Sequence, residues 1–533
     1  MVTRRNFIKT ASTVTGYGLA GTLPAIASRG KKTTDFFGVH EFIENHPEAV
    51  FIMRTHVDKK TNHDALKHAG NTFAQSVLVP KEDGVPVSSI INIIPNLTNI
   101  QKDNPKGDMV YRMGIVTDPW FVEGVIEHCK ELGSSPGKIH LTETWHLGNW
   151  EPIGYTSMAQ RAGVHMNETR EIKVHDLRED QVQWIDTPKG TWFRKIPYIW
   201  PVNAPGSWLL NIAKFKAHGM GLTLCCKNLQ GTICHDYQLF CSEPKGKKEH
   251  FNPRREADID ESYQRHVADG IPRWDKPKSG MKMENWAWRT LDNLSVTPTG
   301  LHIVEGVYGR DGDAFLNGPN PPGNDDNNKG EAWDYMTNII LFGKDPFRVD
   351  IIGHWLGGHE PGNFGLFHLA AELGMSTVLN PAEIPVYEWK DGKAELTSLD
   401  SFERILLKTP YLGRDYNGQN EPYYHIVDEP FDYSSVPMQK THLPSRPDIK
   451  VLNHRRLYAG ISDIIFEYSV PDDSYARVEI LGPSRRYCTV LNDCFHRRGY
   501  HMTRWNVSGV KTGEYVYRMR WKDFDRAGNL VLL

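Results

Sequence analysis

The chain has 533 residues, 39% of them hydrophobic and 11% aromatic, enough for a sizeable core. That length allows roughly three domains, or one large domain with a small one. With 62 basic against 65 acidic residues the net charge is −3, which removes any global electrostatic case for nucleic acid or an anionic membrane. The basic runs at Lys245–Lys248 and Arg254–Arg255 read as solvated loops.

In chain order, Arg4-Arg5-Asn6-Phe7-Ile8-Lys9 precedes a weakly apolar stretch that closes on Ala25-Ile26-Ala27, a small-x-small cleavage pattern. It resembles a twin-arginine export signal, which carries folded proteins across a membrane. The apolar stretch is only about 17 residues long and rich in Gly and Thr, short of the roughly 20 apolar residues of a spanning helix. The expectation is a signal at 1–27, export to the periplasm or cell exterior through the twin-arginine machinery, and no stable membrane span after cleavage. Export of a folded chain also makes a metal or other cofactor inserted in the cytoplasm worth seeking.

From residue 31 to 427, strand-like and helix-like segments alternate. Ser89–Ile94 is a β-branched run ending at Pro95. Thr117-Asp118-Pro119 supplies an N-cap and a first-turn proline for a helix carrying Phe121, Val125, Ile126 and Cys129, which Gly133 stops. Lys138–Leu141 and Trp208–Phe215 read as strands, and a helix is expected through Leu222–Leu229. Leu301–Val304 reads as a strand ending at Glu305-Gly306, and Asn338–Phe342 as another; Asp345-Pro346 opens a helix through Val349, Ile352 and Trp355. This alternation predicts an α/β fold, a mostly parallel sheet with helices on both faces and ligands beyond the carboxyl ends of its strands. Leu316–Gly330 is a polar loop, and 428–450 a Pro-rich linker. Within 451–533 the period changes to two, over Phe466–Val470, Ala476–Leu481, Tyr487–Leu491 and Glu514–Trp521, as in a small all-β sandwich.

Seven cysteines are few for an exported chain of this length. Cys488 and Cys494 are spaced to pair within one hairpin. Cys225, Cys226, Cys234 and Cys241 match no zinc or iron–sulfur spacing and read as buried thiols.

The densest reactive cluster is Lys214-Phe-Lys216-Ala-His218, a glycine turn, then Thr223-x3-Lys227-Asn228-x2-Gly231. A strand would deliver Lys214, Lys216 and His218 to its carboxyl end, and a helix would present Thr223 and Lys227 one turn apart. Its free amides and three amines suit a carboxylate or phosphate. Snorkelling lysines and a turn-capping histidine are the bland alternative. Glu305 after its strand is the preferred acid, with Glu143 next. Asp345 is an N-cap, and Asp350 either pairs within the core or meets ligand. His354 and His359 are a candidate metal pair, though loop histidines are more often not ligands. The chain has no G-x-S-x-G elbow, Walker loop or H-E-x-x-H helix.

These residues resemble the signature of the domain-of-unknown-function family numbered 362. Ile94-Pro95-Asn96-Leu97, Thr117-Asp118-Pro119, Val304-Glu305-Gly306, Lys344–Asp350 and Ala370–Gly374 follow its pattern in order, so the likeness spans roughly residues 80 to 380. Glu305 stands where many relatives have Asp, and no ferredoxin-type cysteine run is present. The resemblance implies the α/β fold and a ligand site more than a reaction; the residues themselves nominate His218, Lys227 and Glu305 for catalysis and Lys214, Lys216, Thr223, Asn228 and Gly231 for ligand contacts. A single-motif likeness to lactate racemases, which use a nickel-pincer nucleotide, would make Lys227 the cofactor-bearing lysine and His218 a nearby histidine. Residues 460 to 522, with Gly499-x-His501-x3-Trp505-Asn506 and Gly513-x-Tyr515-x-Tyr517, resemble the immunoglobulin-like domain of the flagellar hook-capping family. The expected function is an exported enzyme for a small anionic substrate or cofactor, of oxidoreductase or isomerase type. The alternative is a non-catalytic periplasmic or cell-surface binding or assembly protein.

Overall fold

In the computed structural model, residues 35–533 are described, except 83, 98–112, 144–149, 168–181, 188, 205, 219–220, 235–236, 238–247, 273–281, 313–316, 319–329, 410–429, 436–443, 445, 452–462, 473, 483–487, 497–498, 508 and 533. The signal at 1–27 and most of the polar loop at 316–330 lie outside them, save for a short ladder pairing Asn317–Gly318 with Gly330–Glu331.

One large sheet organises the α/β part. Its strands in chain order are β1 (Val50–Arg54), β2 (Ile90–Pro95), β3 (Ile139–Thr142), β4 (His165–Asn167), β5 (Ser207–His218), β6 (Gly221–Thr223), β7 (Leu301–Arg310), β8 (Asp334–Gly343), β9 (Val386–Lys390) and β10 (Lys393–Leu396). Across the sheet they run β10-β9-β1-β8-β7-β5-β2-β3-β4, with β6 folded back onto β5. The run from β7 through β5, β2 and β3 to β4 is parallel, as is β9 beside β1. The expected mostly parallel sheet is therefore present; within it β8 is antiparallel to both neighbours, β10 to β9 and β6 to β5. Strand propensity identifies the segment around Asn338 but carries no information on its direction.

Both faces are covered, which is why the inner strands are almost continuously apolar. On one face, Ile91 and Ile93 of β2 and Leu210 and Ile212 of β5 pack with α1 (His63–Val77), α2 (Pro119–Glu131) and α3 (Tyr155–Ala162). On the other, Ile94, Ala213 and Phe215 pack with α4 (Cys225–Asn228), α6 (Lys282–Leu294), α7 (Pro346–Leu356) and α8 (Gly365–Glu372); α5 (Arg255–Ala268) adds Ile259. Asp118 and Asp345 cap α2 and α7 as expected, each accepting from two backbone amides, with proline at the first helical position. α1 and α2 meet backbone to backbone: a Cβ on Gly70 would lie 2.0 Å from the Phe121 carbonyl oxygen, and one on Gly124 would lie 2.1 Å from that of Lys67.

Toward the C-terminus two antiparallel sheets share one apolar cluster. The first holds β11 (Asp448–Val451), β12 (Asp463–Val470) and β15 (Gly499–Asn506); the second holds β13 (Ser474–Leu481), β14 (Cys488–His496), β16 (Gly513–Trp521) and β17 (Phe524–Leu532). Ile464 and Phe466 meet Val478, Ile480 and Met519 between them. Cys488 and Cys494 lie on the same strand, β14, six residues apart. Six extended residues span about 20 Å, well beyond a disulfide's reach, so these two cysteines do not pair with each other. Part of the segment read as a linker is anchored instead. Phe431 and Tyr433 pack on the α/β core, and the Tyr433 hydroxyl donates to Glu360.

Candidate functional site

The even-numbered side chains of β5 face α1–α3. Leu210 and Ile212 fill the apolar layer there, and farther along the strand Lys214, Lys216 and His218 take the same face. This change from apolar to cationic falls where β2 and β3 end, so the polar residues gather at the carboxyl ends of the parallel strands.

Lys214 is fully buried and committed to an internal ion pair. Its Nζ lies 2.7 Å from Oε2 of Glu305, also fully buried, and 3.4 Å from the centroid of the Tyr308 ring. Glu305 Oε2 also accepts from the Asp118 amide at 3.1 Å, and Oε1 from the Val307 amide at 3.1 Å. The Tyr308 hydroxyl donates to Oδ2 of Asp118 at 2.7 Å, while Oδ1 of Asp118 caps α2. Burial raises both carboxyls above their usual range, and the Lys214 charge opposes that rise. Glu305 does not follow its strand, as expected from sequence; β7 continues to Arg310 through a bulge. The bulge brings Val307 and Tyr308 onto the same face, which aims Tyr308 at Lys214.

Lys216 is also buried, and its amine donates to the Ile115 carbonyl at 2.6 Å. Burial first, then the charges of Lys227, Lys214 and Arg310, depress its pKa well below the ordinary lysine value; Glu143 opposes them. Half-buried His218 is likewise pushed well down, by desolvation and then by Lys227 and Lys216. Arg310 donates to Oδ1 of Asp334 at 2.9 Å, and Lys60 contacts the other oxygen. Glu143 is buried with its carboxylate against Gly231, where a Cβ would lie 2.4 Å from Oε2. Asn228 sits behind these groups, donating to Ile94 O at 2.9 Å and Asn211 Oδ1 at 2.8 Å while accepting from Asn96 at 2.9 Å.

Two expectations are corrected. Thr223 is not one helical turn from Lys227: it lies in β6, in register with Lys216, and α4 starts only at Cys225. The amides at that helix start are not free for a ligand, because Asp350 accepts from Cys225 N and Cys226 N, each at 2.8 Å. Asp350 thus takes its core-side role, and burial raises its pKa to about 7. Cys225, Cys226 and Cys234 are buried and outside any disulfide; Cys241 lies outside the described residues.

His354 Nδ1 donates to the Asp350 carbonyl and His359 Nε2 to that of Leu407, with ring centroids 6.1 Å apart. Burial lowers their pKa values to about 3 and about 4. Among the described residues no three His, Cys, Asp or Glu side chains are grouped to hold a metal. The pair ties α7 to the segment around Leu407.

The sequence reading thus finds Lys214, Lys216, His218, Lys227, Asn228, Gly231, Glu143 and Glu305 in one neighbourhood. It misses Tyr308, Arg310, Asp334 and the second role of Asp118. Asn96 and Asp118 lay within the quoted motifs, and that was the available signal.

Fold and site together define an α/β protein with a buried, lysine-rich polar centre at the carboxyl ends of its parallel strands. Residues 92–354 match the model of the family described as Domain of unknown function (DUF362), which supports that family for the α/β part. No curated protein matches the chain.

Proposed function

We propose that this chain is an exported protein whose Lys216–Lys227–His218 centre binds a small anionic substrate or cofactor, and that it acts as an enzyme there. The observation that carries this reading is the burial of Lys216 within the fields of Lys227, Lys214 and Arg310. Like charges gathered away from water repel, and an anion among them offsets that repulsion. Lys214 and Arg310 each lie against a carboxylate, Glu305 and Asp334, and of the cationic charges acting on Lys216 that of Lys227 is the largest. His218 and Glu143 flank it with groups able to move a proton, as an isomerase or oxidoreductase step requires.

The test is thermal unfolding of the full chain with phosphate and with small mono- and dicarboxylates. A ligand should raise the melting temperature of the wild type and lose that effect in Lys216→Met and Lys227→Met. Wild-type protein indifferent to every anion, or variants responding equally, would end the reading.

Arg4 and Arg5 support twin-arginine export, with the mature protein in the periplasm or outside the cell. Replacing both with lysine should leave the unprocessed chain in the cytoplasm. The two C-terminal antiparallel sheets with a shared core support an immunoglobulin-like module used for attachment.

A further inference from the structure

We propose that His354 and His359 form a buried, two-coordinate site for a soft monovalent metal ion, copper(I). The site is separate from the lysine centre and does not depend on it. His354 lies on α7 and His359 just beyond its end, with ring centroids 6.1 Å apart. Each ring spends one nitrogen on a backbone carbonyl, His354 Nδ1 on Asp350 at 2.8 Å and His359 Nε2 on Leu407 at 2.7 Å. A carbonyl only accepts, so those two nitrogens carry the protons. Burial keeps both rings neutral near pH 7, which leaves lone pairs on His354 Nε2 and His359 Nδ1. Both of these nitrogens are shielded from solvent, and neither has a hydrogen-bond partner among the described residues. A carbonyl that fixes the tautomer through one nitrogen while the other stays bare is how metal-binding histidines are held.

Two orphaned acceptors side by side call for a donor or a Lewis acid. The rings of Phe364 and Phe367, 4.6 and 5.0 Å from that of His354, supply neither. A ring nitrogen lies about 1.2 Å from its centroid and a bound metal about 2 Å further on, so two rings sharing one ion stand at most about 6.4 Å apart. The observed 6.1 Å corresponds to a nitrogen–metal–nitrogen angle of roughly 145°, whereas a tetrahedral angle would draw the centroids to about 5.2 Å. The ring planes, 87° apart, are no obstacle, because each ring can turn about its own metal–nitrogen axis. No group of three His, Cys, Asp or Glu side chains forms a metal site among the described residues, which suits two ligands rather than the four of structural zinc. The Arg404 charge reaches His359, so a monovalent ion meets less repulsion there than a divalent one.

Because both nitrogens are shielded in the folded chain, full-length protein is refolded from urea, without oxygen and with reductant, in the presence of one equivalent of copper(I). It is then passed over a copper(I) chelator and examined by X-ray absorption. The expected result is copper retained by the chain, with two nitrogen neighbours at about 2 Å and no sulfur near about 2.3 Å. Retained copper should also raise the melting temperature, since the unfolded chain lacks the paired site. The cysteines are the rival ligands, and the spectrum separates them from imidazole. His354→Gln and His359→Gln keep an amide able to donate to the same carbonyls but lose the second ring nitrogen. Each should lower copper retention by at least about tenfold and abolish the rise in melting temperature. If a variant fails to fold, the wild-type spectrum decides alone. Wild-type protein that keeps no copper, copper held through sulfur, or variants that keep as much copper as the wild type would overturn the proposal.

Discussion

Glu305→Gln tests whether that carboxylate serves mainly to hold Lys214. In the native fold the two side chains are fully buried, with Nζ and Oε2 2.7 Å apart. The amide keeps the shape but removes the charge, leaving an ammonium in the interior. Breaking a buried pair by removing one partner costs about 3–5 kcal/mol. Here the loss should fall near the lower end, about 3 kcal/mol, because the charge of Asp118 and the Tyr308 ring 3.4 Å away still face the amine. Lys214→Met strands Glu305 in the same way. The double variant removes both charges, so its cost should fall short of the summed single costs by at least about 2 kcal/mol. Urea unfolding followed by tryptophan fluorescence measures all three. Single costs that add to within about 0.5 kcal/mol would refute the coupling and free Glu305 for another role.

Asp350→Asn should change how stability depends on pH. Burial raises the folded carboxyl from 3.8 to about 7, so the folded chain binds this proton more tightly than the unfolded chain. The group's stabilising contribution is complete below about pH 4 and is lost as pH rises toward 7, a change of about 4 kcal/mol. The wild-type-minus-variant stability difference, measured by urea unfolding across that window, should fall with rising pH; a flat difference refutes the assignment. Gly231→Ala places a methyl 2.4 Å from Glu143 Oε2. It should cost about 1–3 kcal/mol and displace Glu143, read as a weaker thermal response to the anions that stabilise the wild type. Gly70→Ala, against the Phe121 carbonyl, cannot be relieved by a flexible side chain. It should destabilise by about 3 kcal/mol or more without changing ligand response in the molecules that remain folded.

Local rules made much of the α/β part legible. Asp118-Pro119 and Asp345-Pro346 each announced a helix, because a short carboxylate before a proline satisfies the first free amides within three residues. The apolar runs at Ile90 and Leu301 announced inner strands because both faces of such strands are covered. The cluster from Lys214 to Gly231 stood out because charged and small residues interrupt an apolar context, and the fold does bring those residues together.

Other features arise from partners far apart in the chain. Asp350 occupies the amides at Cys225 and Cys226, Glu305 neutralises Lys214, and Arg310 meets Asp334 only once β7 and β8 lie side by side. The direction of β8 and the bulge that turns Tyr308 toward Lys214 are likewise properties of strand pairing. Residue order alone therefore determined which amines, imidazole and carboxylates the site can draw upon, since side-chain chemistry and local periodicity are written in the chain. Only the folded arrangement decided which charges cancel and which press on Lys216, because Coulomb interactions and desolvation depend on separation through space.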